Sequence, residues 1–145
     1  MKKYLNISMI YAIAAMVGGV FYREFTKWNG FTGVTSLGKV HAHLFMLGMI
    51  VFMVIALFSA HSSLEKQKSF RAFIYIYNIG VPITAAMLAV RGILQVLGTP
   101  LSTGADAAIS GIAGIGHILT GIGIILLLIS LKKTDDACCN KKSVK

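Results

Sequence analysis

Residues Val40 to Ala60 read VHAHLFMLGMIVFMVIALFSA, an apolar run without Lys, Arg, Asp or Glu, interrupted only by His41, His43 and Ser59. A hydrocarbon core about 30 Å thick is crossed by roughly 20 residues of helix, so this run is long enough to span one. Helix is the conformation it must take, because lipid offers backbone N–H and C=O groups no partners and the segment has to satisfy them internally. Three further runs behave alike: Tyr4 to Tyr22, Ala72 to Leu97 and Ala107 to Leu131. The short alternating segments of a membrane β-barrel are absent. The expected fold is therefore all-α, an integral membrane four-helix bundle over residues 1–131 followed by a polar cytoplasmic tail at 132–145.

Composition agrees. The 145 residues are 56% hydrophobic and only 13% charged, too apolar for a water-facing surface. With two prolines and two adjacent cysteines, the chain is neither collagen-like nor built on a disulfide framework. The net charge of +9 would suggest nucleic acid in a soluble protein, but the basic residues lie almost wholly between and beyond the apolar runs. Lys2, Lys3, Lys66, Lys68, Arg71, Lys132, Lys133, Lys141, Lys142 and Lys145 fall on one side, and Arg23, Lys27, Lys39 and Arg91 on the other. Basic residues collect on cytoplasmic flanks, so this asymmetry predicts both termini inside and no nucleic-acid partner. Lys2 and Lys3 before an apolar run also fit a cleaved signal peptide, with Ala14-Ala15 or Gly18-Gly19 as cleavage candidates. The run continues through Phe21 and Tyr22 without a polar cleavage region, so the first helix is read as retained.

Boundary signals lie at Thr35 or Ser36 and at Asp106, which can cap the second and fourth helices, and at Gly98-Thr99-Pro100, which ends the third. Pro82 is expected to kink the third.

Ionisable groups at membrane depth are costly and mark function. Here they are His41, His43, Arg91 and His117; His61 reads as interfacial. Counted at about 1.5 Å per residue from the outer helix ends, His41 lies roughly 7 Å deep, His43 10 Å, Arg91 12 Å and His117 16 Å, so the last three can share a level. His41 and His43 are about 200° apart around the helix and cannot both bind one metal ion. The small-residue stripe Gly38, His41, Phe45, Gly48 and Phe52 votes for His41 as the inward residue. Depth thus favours His43, and face favours His41.

On the fourth helix, Ser110, Gly114, His117 and Gly121 recur at spacings of three or four. An imidazole with glycine one turn above and below presents a flat, open wall, able to admit a porphyrin face with His117 as axial ligand. The same glycines could simply pack helices. Two axial histidines on facing helices would hold haem b inside a bundle. Arg91 would then suit a haem propionate, since guanidinium pairs bidentately with carboxylate, although snorkelling to headgroups is its other use; Lys39 could serve similarly at the rim.

The segment Gly38 to Gly48, with His41-Ala-His43-Leu-Phe-Met-Leu-Gly48 at its centre, resembles a His-Ala-His-Leu-x-x-Leu-Gly stretch of short four-helix bacterial membrane proteins related to haem-copper oxidase subunit I, including an uncharacterised family of this length. The resemblance implies a haem ligand near the outer end of the second helix, falling on His43 with His41 as the alternative and His117 opposing it, in a protein of the bacterial cytoplasmic membrane. The copper-ligating histidines and the histidine-tyrosine pair of the oxidases have no counterpart, which speaks against a complete oxygen-reducing centre.

Three functional classes follow. The first is a b-type haem protein for electron transfer or for sensing a gas or haem. The second is a cofactor-free accessory or assembly module, and the third a small proton or anion transporter, against which stands the lack of inverted repeats. Conventional enzyme motifs are not found, and the acidic residues Glu24, Glu65, Asp106, Asp135 and Asp136 sit at helix ends or in loops. Cys138 and Cys139 read as reduced tail thiols without metal-chelating spacing. Lipid is the obligatory partner; a second copy or a redox partner could meet the glycine-rich faces.

Overall fold

A computed structural model describes residues 1–142, with the side chains of His61 and of residues 135–142 outside the description. All regular structure among the described residues is helical. The first span is α1, Lys2–Trp28. The second is continuous but changes character, running as α2 (Leu37–His43), a π-helical segment (Leu44–Ile50) and α3 (Val51–His61). A 3-10 turn at Leu64–Lys66 leads into the third span, α4 (Lys68–Val96), and the fourth is α5 (Thr103–Lys142). All four are long and apolar enough to cross a membrane.

The helices outrun the apolar cores that announce them. The third starts at Lys68 instead of Ala72, and the fourth continues as backbone helix through the expected tail to Lys142. Charged residues can hold the first and last turns of a membrane helix because their heads reach water, so hydropathy marks the crossing and not the helix end. The third span runs through Pro82 as one helix. The missing N–H there leaves the carbonyl of Asn78 without its intrahelical donor.

Of the two cap candidates for the second span, Thr35 is the one used. Ser36 is the N-cap of α2 but its side chain makes no cap bond. Thr35 does the work: its hydroxyl accepts from the Leu37 N–H at 3.2 Å and donates to the Gly92 carbonyl at 3.0 Å. The Gln95 side chain adds an acceptor for the Ser36 N–H at 2.7 Å. The second span is thereby fastened to the end of the third, where Gly92 lies so close to Leu37 that no β-carbon could be added. The fourth span begins at Thr103, which puts Asp106 inside its first turn instead of at the cap. Gly98, at φ +62°, closes the third span as expected.

The spans pack in sequence, first on second, second on third and third on fourth. The second and fourth share no extended backbone contact, so a groove runs between them with the third span as its floor. Packing density follows small residues, as it must where lipid removes most of the hydrophobic drive between helices. Gly80, Gly116 and Gly123 let the third and fourth spans approach until Thr120, Thr84 and Tyr77 fill the space a β-carbon would need. Gly48 does the same for Tyr11 of the first span. An aromatic column ties the first three spans at the end carrying the N-terminus: Tyr4 meets Phe70 at 5.8 Å, Phe73 meets Tyr77 at 5.0 Å, and Phe52 meets Tyr11 at 5.7 Å and Tyr77 at 6.1 Å. Such pairs contribute about 0.5–1.5 kcal/mol each beyond the area they bury.

Candidate functional site: a histidine pair across the groove

The two helix-two histidines part company as their 200° separation requires. His41 turns to the first span, its β-carbon 3.7 Å from where one would stand on Gly19, and its buried Nδ1 has no hydrogen-bond partner among the described residues. His43 turns into the groove. There its ring faces that of His117, with centroids 6.1 Å apart and planes 85° to one another.

Each of these rings is fixed by its own helix. His43 Nδ1 lies 2.9 Å from the Lys39 carbonyl and His117 Nδ1 lies 2.8 Å from the Ala113 carbonyl. A carbonyl oxygen can only accept, so in both rings Nδ1 donates and carries the proton. Nε2 is the ring nitrogen that each helix leaves free to meet a ligand.

The surroundings divide the fourth span into two glycine faces. Gly116 and Gly123 press on the third span, whereas Gly111, Gly114 and Gly121 have nothing within 4 Å of an added β-carbon. The open set is the one on either side of His117. Helix packing therefore accounts for one set and leaves the other, which includes both candidate wall residues Gly114 and Gly121, facing free space beside the imidazole.

Arg91 reaches from the third span to the same fourth-span helix. Its Nη2 donates at 2.7 Å to the Asp106 carboxylate and at 2.7 Å to the Ser110 hydroxyl, two turns from His117. A carboxylate in the first turn of a helix also sits well with the partial positive charge there. Asp106 as the partner of Arg91 escaped the sequence reading. Its one signal was to be the acidic residue nearest the start of the fourth span; that this helix lies against Arg91 is set by the helix arrangement.

The π-helical segment had no such signal. It begins at the residue after His43, and two hydroxyls from neighbouring spans bond its carbonyls: Tyr77 Oη donates to Leu47 at 2.8 Å and Ser8 Oγ to Met49 at 2.8 Å. π-turns inside α-helices recur at functional sites. His61, Cys138 and Cys139 fall outside the described side chains.

No group of three or more metal-ligating side chains occurs among the described residues, so the site is a pair. Fold and site together define an all-helical protein, its four long helices apolar enough to cross a membrane, with two imidazoles facing one another across a groove. The chain belongs to the family described as protein of unknown function (DUF2871), which matches residues 1–134. No curated protein and no solved structure matches it.

Proposed function

We propose that this protein binds one b-type haem in the groove between its second and fourth spans, with His43 and His117 as axial ligands, and relays electrons in the membrane. The observation that carries the reading is the pair's geometry. An imidazole nitrogen binds a first-row metal at about 2.0–2.1 Å and lies about 1.1 Å from its ring centroid, so two imidazoles sharing one ion stand at most about 6.2–6.4 Å apart, centroid to centroid. The rings here are 6.1 Å apart, within that reach. Both also have Nδ1 engaged by a carbonyl, which fixes ring orientation.

A one-electron couple is the chemistry such a group supplies when bound. The residues do the rest. His43 and His117 would hold the iron from both helices, and two protein ligands favour electron transfer over binding of a gas. Gly114 and Gly121 leave the fourth-span face clear for a flat macrocycle. Arg91 has five N–H donors, and with Nη2 committed to Asp106 and Ser110 the N–H groups on Nε and Nη1 remain for single hydrogen bonds to a propionate.

The excess of Lys and Arg at the end carrying the N-terminus supports an orientation with both termini in the cytoplasm, in a bacterial cytoplasmic membrane. The pair then lies toward the outer half. The likeness to haem-copper oxidase subunit I rests on the His-Ala-His segment alone and adds to this reading only through His43.

The test is an absorption spectrum of the detergent-purified protein, oxidised and dithionite-reduced, after expression with ample haem. Sharp reduced bands of b-type haem are expected in the wild type and in His41→Ala, and their loss in His43→Ala and His117→Ala. A colourless wild type overturns the proposal.

A further inference from the structure

A cavity of about 440 Å³ opens at the other end of the molecule, between the start of the first span and the start of the third. Its floor includes Tyr4 and Phe70, which are 3% and 2% exposed. Around it stand three charges, Lys3, Arg71 and Glu65. None of the three forms an ion pair with another across the cavity; the ion pairs among the described residues are Arg23 with Glu24 and Arg91 with Asp106. Two cations and a carboxylate thus stand around one space with no ion pair between them, the Lys3 ammonium 5.9 Å from the centre of the Tyr4 ring and the Glu65 carboxylate beside the Tyr4 hydroxyl.

We infer that this cavity receives the headgroup of a phosphatidylethanolamine lipid, its phosphate between Lys3 and Arg71 and its ammonium toward Glu65. A phosphate diester carries one negative charge and accepts from guanidinium and ammonium donors, whereas Glu65 can only accept and so calls for a donor cation. A primary ammonium supplies three such donors. A choline headgroup has none, and a glycerol headgroup offers the carboxylate hydroxyl donors but no positive charge. A lipid, rather than a soluble phosphate, suits the cavity because the third helix carries exposed side chains on one face from the cavity onward. Tyr75 lines the cavity and is 74% exposed, and Ile79, one turn further, is 54% exposed, giving acyl chains an apolar track directly below the headgroup. Lys3 and Arg71 also sit at the level where the helices enter from the basic end of the chain, which is the headgroup level of the bilayer.

Native mass spectrometry of the full-length protein, delipidated and offered phosphatidylethanolamine, phosphatidylglycerol and phosphatidylcholine of identical chains, tests this. Phosphatidylethanolamine is expected to be retained about tenfold over the other two, the ratio a charge-assisted hydrogen bond provides. Lys3→Ala and Arg71→Ala lower its retention about as much, and Glu65→Gln brings it down to the phosphatidylcholine level while leaving phosphatidylcholine unchanged. Each variant is first checked for wild-type helical circular dichroism, and Arg71→Lys, which keeps the charge, retains the preference. Equal retention of the three lipids, a preference for phosphatidylglycerol, a preference that survives Glu65→Gln, or full competition by water-soluble glycerophosphoethanolamine overturns the inference.

Discussion

Filling the open face of the fourth span should expel haem without harming the fold, and filling the closed face should do the reverse. Gly114 and Gly121 flank His117 at three and four residues, about 4.5 Å and 6 Å along the helix, so a side chain at either lies in the plane a macrocycle bound to His117 would occupy. Nothing stands within 4 Å of a β-carbon added at these positions. Gly114→Leu therefore starts from open space at its β-carbon, and the helix gains about 0.5–1 kcal/mol because leucine is the better helix former. A leucine interposed between helix and ring exceeds the 3.5–4.0 Å approach of carbon atoms in contact, so the iron can no longer reach Nε2 at about 2 Å. At Gly116, by contrast, an added β-carbon would lie 2.7 Å from Thr84 Oγ1 and 2.9 Å from the Thr84 backbone nitrogen. Gly116→Ala must push the third and fourth spans apart at a cost of about 1–3 kcal/mol. The assay is haem absorbance per protein together with thermal unfolding followed by circular dichroism in detergent. Gly114→Leu should unfold no earlier than wild type and hold no haem. A Gly114→Leu protein with a full complement of six-coordinate haem would show that the open glycine face is not the wall of the site.

Three shorter tests follow. Arg91→Gln removes the partner of Asp106; the pair is largely exposed, so stability should change by no more than about 0.5 kcal/mol, while the haem midpoint potential falls as a cation is withdrawn from the oxidised and reduced states alike but favours the reduced one, a shift read by spectroelectrochemical titration. An unchanged potential would remove Arg91 from the site. Tyr77→Phe deletes the hydroxyl that donates to Leu47 and should cost about 1 kcal/mol in thermal unfolding, with no change if that carbonyl is satisfied another way. Gly92→Ala forces a β-carbon onto the backbone of Leu37 and should lower both thermal stability and haem content, because it displaces the start of the span that carries His43; wild-type values for both would show that the two spans can part there freely.

The spans were legible because length and hydropathy alone decide whether a helix crosses a membrane, and the glycine pattern of the fourth span was legible because faces repeat every three or four residues. The depth and face arguments over His41 and His43 disagreed because they answered different questions. Small residues do mark close helix contact, and His41 shares its face with Gly38 and Gly48, which meet Tyr22 and Tyr11 of the first span. Depth sets which residues meet across a groove, and it selected His43 for His117. What could not be read was the arrangement of helices: nothing in the local pattern says that the fourth span lies against the third and stands clear of the second. Arg91 illustrates the limit, since its depth was evident and its ion pair with Asp106 depended on that arrangement.

The π-turn lay wholly beyond sequence pattern, because it is a property of register between neighbours and not of residue type. An α-helix that takes up one extra residue turns everything beyond it by about 100° and lengthens by about 1.5 Å relative to an unbroken helix. In the second span the two flanks are separately anchored. The Thr35 and Leu37 contacts with Gly92 hold one end, and Phe52, stacked on Tyr11 and close to Tyr77, holds the other. The segment between, Leu44–Ile50, absorbs the difference, with Tyr77 and Ser8 bonding two of its carbonyls. His43 sits at the junction of the absorbing segment. Deleting Met46, which is exposed, removes the extra residue and should leave an unbroken α-helix whose flanks keep their anchors, so His43 stays opposite His117. Helical circular dichroism and haem content should both remain at the wild-type level. A Met46 deletion that stays helical but loses haem would mean that the π-turn aims His43 and does more than absorb a residue.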